Sequence, residues 1–348
     1  MTPVGNRDPM TSADSIELAV EAGLRYTESG QPGWRRVRRG SGFSYLDESG
    51  APLSRPARER VDELVIPPAW QEVWISPDPR GHIQATGVDK AGRKQYIYHP
   101  LWETVRDERK FDRMQGFGDR LPSLRRAVDS DLRRHGLPLE RVVALAVAVL
   151  DRTMIRIGNK RYADENEAYG LTTLTCDHVQ VGPVRVVFDF VGKGGADHRV
   201  AFADRRLSTL MSRCHDLSGQ TLFSYEDAEG GVQSVTSTDV NAYLTGAMGS
   251  SFTAKDFRTW GASALVTEEL ARGRADTDVE SEVRRAIDVT AERLGNTRSV
   301  CRDSYVHPGV LDAARTGALR PLWNRARPGR WLDRSESALR LVLAEVPV

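Results

Sequence analysis

Tyr305 lies late in the chain, and three cations in distinctive local sequence precede it: Arg156 in IRIGNKRY, Lys193 in FVGKGG and Arg258 in KDFRTWGA. A tyrosine hydroxyl ionises at pH ~10, so it becomes a nucleophile only beside a base or among cations. Attack on a phosphodiester builds negative charge on the non-bridging oxygens. Permanently charged, forked arginines can meet that charge without a metal. The departing oxygen needs a proton, which a lysine on a glycine-flanked turn can deliver. Two arginines, a lysine and a tyrosine therefore suffice for a metal-free transesterification that conserves the phosphodiester bond energy and needs no ATP.

Taken singly, each residue has an ordinary explanation. Arg156 ends the most apolar helix, where a cation is favourable against the helix dipole. Lys193 is a solvated turn lysine, Arg258 a surface arginine beside Asp256, and Tyr305 a packed core tyrosine. Gly295-Asn296 is a turn dipeptide, with Asn296 as its left-handed residue.

The elements that must position these residues change character along the chain. Residues 1–15 read as a polar, disordered tail, followed by a helix from Ser15 to Arg25 capped by Asp14 or Ser15. Between Trp34 and His99, GWRRVRR, SGFSYLD, EVWISP, HIQATGVD and KQYIYHP read as strands, the last two joined by the turn DKAGRK. Helical periodicity then covers Leu101–Phe117, Pro122–His135 and Leu139–Ile157. A three-stranded insert follows in LTTLTCDHVQV, PVRVVFDF and DHRVAFA. In its middle strand Val184, Val186, Phe188 and Phe190 face one way, Arg185 and Asp189 the other. From Asp204 onward the pattern is mostly helical. The expected fold class is α+β: a small β-rich amino-terminal domain over residues 16–100 and a larger, mainly helical domain over residues 101–348.

A chain of 348 residues with 28% charged residues fits a soluble globular protein of one large or two ordinary domains. Cys176, Cys214 and Cys301 lack metal-ligand spacing and read as reduced thiols in the cytoplasm. The amino terminus has no secretory pattern, and no apolar run is long enough to span a membrane. A net charge of +1 argues mildly against nucleic-acid binding, but local clusters exist at Arg35, Arg36, Arg38 and Arg39, at Lys90, Arg93 and Lys94, and at Arg156, Lys160 and Arg161.

The order and wording of these motifs resemble the type IB DNA topoisomerases, in their compact poxvirus-like and bacterial branch. IRIGNKRYADENEAYGLTTL resembles the segment holding the family's first catalytic arginine. KDFRTWGA resembles the second-arginine motif, and GNTRSVCRDSYVHP the segment ending in the nucleophile. The resemblance implies the catalytic fold shared with tyrosine recombinases, with a three-stranded sheet. It makes Tyr305 the nucleophile that forms a 3′-phosphotyrosyl bond, and Lys193 the general acid. Arg156, Arg258 and Asn296 become the groups on the phosphate. Asn296 stands where the poxvirus pattern has histidine, and its amide is still a donor. The resemblance also implies DNA contacts by Arg93, Gln95, Tyr96 and Tyr98 in GRKQYIYHP, by Lys110 and Arg113 in KFDRM, and by Lys160, Arg161 and Tyr162. It implies duplex DNA as partner, strand rotation that relaxes both signs of supercoil, no ATP, no obligatory metal, and a monomeric clamp associated with the nucleoid.

Three alternatives stay open at this point. A tyrosine recombinase shares the chemistry, yet it usually carries His-x-x-Arg where this chain has Lys-Asp-Phe-Arg, and a helical rather than β-rich amino-terminal region. A non-catalytic DNA clamp would keep the fold without the reaction. A metal-dependent nuclease needs clustered carboxylates, and none stands out.

Overall fold

A computed structural model describes residues 12–90, 92–158, 160, 163–164, 167–217, 219–249, 252–273 and 278–346. The chain divides into two compact units, Met1–Lys110 and Phe111–Val348.

In the first unit, α1 (Ser12–Glu21) starts earlier than expected, so Asp14 and Ser15 lie inside it rather than capping it. β1 (Trp34–Arg39), β2 (Gly42–Leu46), β3 (Gln71–Ile75), β4 (Ile83–Val88) and β5 (Lys94–Tyr98) match the five expected strands. They form one antiparallel sheet in the order β2-β1-β3-β4-β5. A helix the sequence did not announce, α2 (Arg55–Glu63), is inserted between β2 and β3. It buries only Val61, so it carries no apolar stripe to read. It rests instead on guanidinium–ring contacts, Arg58 over Tyr45 at 4.4 Å and Arg60 over Trp34 at 4.8 Å. Arg36, expected within a basic cluster, is structural: its guanidinium donates to the carbonyls of Ile66, Pro67 and Trp70.

The division between the units falls within α3 (Pro100–Asp131), which replaces the two expected helices. Pro122 sits in its interior, at a cost of roughly 3 kcal/mol in a lone helix. Burial of Phe117, Leu121, Leu124 and Val128 on both sides of the proline offsets that cost. α4 (Leu139–Thr153) is buried at every position from Val142 to Leu150. It stops short of Ile157 because Met154 turns left-handed, with φ 55°.

The second unit's sheet has the order β6-β7-β8, with β6 (Val179–Val181), β7 (Arg185–Val191) and β8 (Asp197–Ala203) antiparallel. The first strand is shorter than expected because Leu171–Thr173 and Cys176–His178 are tight turns. Thr172 Oγ1 donates to the Ile157 carbonyl and Thr173 Oγ1 accepts from Gly170 N, so local bonds displace a ladder there. In β7, Val186, Phe188 and Phe190 are buried and Arg185 and Asp189 exposed, as alternation predicts; Val184 precedes the strand and is exposed. Helices α5 (Arg205–Asp216), α6 (Ser237–Met248), α7 (Ala254–Ala271), α8 (Val279–Leu294), α9 (Arg298–Tyr305), α10 (Pro308–Arg315), α11 (Leu319–Arg325) and α12 (Arg334–Glu345) follow. An unexpected short hairpin, β9 (Ser224–Glu226) with β10 (Val232–Ser234), precedes α6. Phe117 of α3 meets Phe257 and Trp260 of α7 edge-on or tilted, at 5.2 and 5.9 Å. Arg125 ties α3 to Asp151 of α4 and Glu336 of α12, both at 2.7 Å. Among the described residues, no helix is long and apolar enough to cross a membrane.

His82 keys the first unit together. Its Nδ1 accepts from Thr27 N at 3.0 Å, and its ring stacks on Tyr26 and meets Trp102 edge-on, both at 4.6 Å. Burial pushes the imidazole down to about 4 from its ordinary 6.5. Below 6.5 the unfolded chain takes up a proton that the folded unit refuses, so stability falls as pH drops from 6.5 toward about 4. The expected loss is up to about 3 kcal/mol. It should be missing from the pH dependence of denaturant melts of His82→Phe and present in those of the wild type.

Candidate active site

Arg156 is positioned by the way α4 ends. The left-handed turn at Met154, with φ 55°, sends the chain sharply out of the core. The Arg156 and Ile157 carbonyls then accept from Leu171 N and Thr172 N, both at 2.8 Å, which pins the segment to the next turn. From there Arg156 Nη2 donates to Asn296 Oδ1 at 2.6 Å.

Asn296 and Tyr305 are set by one continuous piece of local geometry. Gly295 is left-handed, with φ 61°. Gly295 N donates to the Glu292 carbonyl and Asn296 N to the Ala291 carbonyl, the paired bonds of a Schellman turn. The left-handed residue of this turn is therefore Gly295, not Asn296 as the sequence suggested. Thr297 then caps α9 by accepting from Val300 N, and Tyr305 is the last residue of that helix. Beyond it, Ser263 Oγ of α7 donates to the Tyr305 carbonyl and accepts from His307 N, at 3.1 and 2.9 Å. His307 Nδ1 accepts from Gly309 N to cap α10, and its ring packs edge-on against Phe111, so it is a structural residue.

Arg258 is the centre of the cluster. It lies in the second turn of α7 and is 3% exposed, not on the surface. Asp256 does not pair with it; its carboxylate accepts from Thr253 N and Oγ1 and closes the start of the helix. Arg258 Nη1 donates to the Met154 carbonyl and Nη2 to the Leu294 carbonyl, the latter at 3.0 Å. The guanidinium carbon stands 4.9 Å from the Tyr305 ring centre. Two buried donors beside these contacts, Arg258 Nε and Asn296 Nδ2, have no hydrogen-bond partner among the described residues.

This arrangement decides the state of the tyrosine. Burial alone would raise the Tyr305 hydroxyl above its ordinary 10, but attraction to the cations Arg258, Arg156 and Lys255 outweighs it, and the net shift is downward. Burial, partly offset by Tyr305 and reinforced by Arg156, lowers Arg258 as well. Lys255, exposed at the start of α7, is thus a contributor that its sequence position did not assign to the chemistry. Met154 and Leu294 were equally illegible, since they act through backbone carbonyls.

Four of the five expected catalytic residues, Arg156, Arg258, Asn296 and Tyr305, are therefore brought together. Lys193 is exposed on the five-residue turn between β7 and β8, where Gly194 and Gly195 are both left-handed. Of the expected DNA contacts, Arg93 pairs with Asp89 at 2.7 Å. Gln95 is buried and donates to the same carboxylate at 2.8 Å, so its amide is engaged inside the hairpin. Tyr96 and Tyr98 stack at 5.7 Å on a half-buried face, Arg113 lies over Phe252 at 5.4 Å, and Lys160 is exposed. Arg161, Tyr162 and the side chain of Lys110 lie outside the described residues.

The comparison with known proteins shows the family. Residues 95–316 match the model of the eukaryotic DNA topoisomerase I catalytic core, and residues 42–89 that of the bacterial DNA topoisomerase IB amino-terminal domain. The chain belongs to the type IB DNA topoisomerases. It is 33% identical to DNA topoisomerase 1B of Acanthamoeba polyphaga mimivirus over 264 residues, covering 73% of this chain and 79% of that one. Vaccinia virus (strain Copenhagen) DNA topoisomerase 1B is 24% identical over 275 residues, or 74% and 82% of the two chains. DNA topoisomerase 1 of Schizosaccharomyces pombe is 29% identical over 171 residues, only 20% of its own length. Family membership makes the chain an isomerase that relaxes DNA through a tyrosine nucleophile.

Tyr305 should ionise below the ordinary 10 in the free protein. Removing Arg258 leaves burial with less opposition, so Arg258→Ala should move that ionisation upward. Ultraviolet difference titration against Tyr305→Phe checks both directions; an unchanged midpoint in Arg258→Ala would reject the electrostatic coupling.

Proposed function

We propose that Tyr305 attacks a phosphodiester of duplex DNA while Arg156, Arg258 and Asn296 hold the non-bridging oxygens. The Tyr305 hydroxyl, acidified by Arg258 and Arg156, gives its proton to water and its oxygen bonds to phosphorus; the bond to the 5′-oxygen breaks, and Lys193 gives that oxygen a proton. The product is a 3′-phosphotyrosyl bond and a free 5′-hydroxyl. The freed end rotates about the intact strand under torsion of either sign, and the reverse step reseals it. Neither ATP nor a divalent metal takes part. A monomer performs the cycle in the cytoplasm, on nucleoid DNA, and Arg93, Tyr96, Tyr98, Arg113 and Lys160 contribute contacts to the duplex.

One observation carries this reading. The bond from Arg156 Nη2 to Asn296 Oδ1 fixes which way the amide points, and leaves Asn296 Nδ2 a buried, unbonded donor. Arg258 Nε is a second one, in the guanidinium that faces the Tyr305 ring. Buried donors without partners are costly unless the working complex supplies an acceptor. A phosphate oxygen is that acceptor, and donors fixed in advance need no rearrangement as charge develops on it.

Wild-type protein should relax a supercoiled plasmid in EDTA without ATP, and Tyr305→Phe should bind DNA yet neither relax it nor form a covalent adduct. A residual adduct would point to another nucleophile. Asn296→Asp exchanges the amide donor for a like-charged acceptor and should slow single-turnover cleavage by about 10²–10³-fold. Asn296→His, which keeps a donor, should retain most of the rate. Equal losses in the two variants would remove Asn296 from the phosphate.

A further inference from the structure

His198 has no part in the chemistry described so far, yet its ring is caught between the two turns that carry Lys193 and Asn296. It lies on β8 opposite Phe190 of β7 and stacks on that ring at 5.2 Å, with the planes 12° apart. It is 9% exposed. On one side is Gly192, the residue before Lys193: a Cβ there would lie 2.4 Å from His198 Cδ2. On the other is Gly295, the residue before Asn296: a Cβ there would lie 2.1 Å from His198 Cε1. Both separations are far inside van der Waals contact, so the imidazole fills space that exists only because both neighbours are glycine.

We propose that His198 is a positioning residue, whose ring sets the base of the Lys193 turn against the Asn296 turn. This rests on the assignment of Lys193 as general acid. The tip of that turn is built on two left-handed glycines, Gly194 and Gly195, where an added Cβ would meet nothing within 4 Å. Its base is where it can be fixed, and there Gly192 N donates to the Ala196 carbonyl at 2.8 Å and Gly192 abuts the ring. Burial, then Arg156 and Arg258, hold the His198 imidazole below its ordinary range against the opposing pull of Asp197. Its surroundings therefore favour the neutral ring beside the two arginines. Misplacing a catalytic group by about 1 Å can cost 10²-fold, so loss of the wedge should appear as loss of proton delivery.

The test compares cleavage of an ordinary substrate with one whose 5′-bridging oxygen is sulfur, a leaving group that needs no proton. His198→Ala should slow single-turnover cleavage of the ordinary strand by about ten- to a hundredfold. Most of that loss should disappear on the sulfur substrate, because only the Lys193 step is impaired. His198→Phe, which keeps a flat ring in the slot, should restore most of the rate on the ordinary strand. An equal loss on both substrates, or no loss on either, would overturn the proposal. Lys193→Ala on the same two substrates separates the two assignments. If it is not rescued by sulfur, the general-acid reading itself fails; if it is rescued and His198→Ala is not, only the positioning role fails. Thermal melts of each variant confirm that folded protein is being compared.

Discussion

The site depends on a buried cation that no carboxylate neutralises. Arg258 is 3% exposed, and among the described residues no acid lies within ion-pair distance of it. Its countercharges are the carbonyl of Met154, which caps α4, and the carbonyl of Leu294, the last residue of α8. Both belong to helix C-termini, where unsatisfied carbonyls and the helix dipole concentrate partial negative charge. Two such ends tolerate a guanidinium without cancelling its charge, and that charge stays available for Tyr305 and for an anion. A carboxylate in the same place would stabilise the free protein and weaken its hold on a phosphate.

Arg125 shows the opposite solution in the same unit. It is bound by Asp151 and Glu336 together, with Trp260 Nε1 donating to Glu336 at 3.0 Å. Burial opposes its charge, but the two acids raise it well above the ordinary value. That closed network joins α3, α4, α7 and α12, and Trp260 enters it from the same helix that carries Arg258. The backbone is also shaped for the task. Met154 adopts a left-handed conformation that costs a non-glycine residue roughly 1–2 kcal/mol. The same conformation ends α4 and turns the chain toward Arg156.

The sequence disclosed what depends on side-chain type and period. The five strands of the first sheet stood out through their short runs between turn residues, α4 because it is apolar all round, and β7 because it buries alternate residues. The chemically distinctive residues Arg156, Arg258, Asn296 and Tyr305 were legible through their motifs. α2 was not, since its contacts are guanidinium on ring rather than an apolar stripe. The unbroken α3 was hidden by Pro122, whose local cost is overridden by packing on both sides. Within the site, the carbonyls of Met154 and Leu294 leave no trace in residue identity, since every residue has one. His198 was silent for a related reason: its role comes from two glycines far apart in the chain that make room for the same ring.

The Schellman turn at Gly295 and the cap at Thr297 also fix an angle. From Thr297 onward the chain is helical through Tyr305, so the direction of the phenol is a matter of helical phase. One residue added or removed in that stretch would swing the ring by about 100° around the helix axis and turn it away from Arg258. The turn carrying Lys193 is not subject to this rotation, because its ends are held by strand pairing. Length variation across this fold should therefore be absent between the cap and the nucleophile.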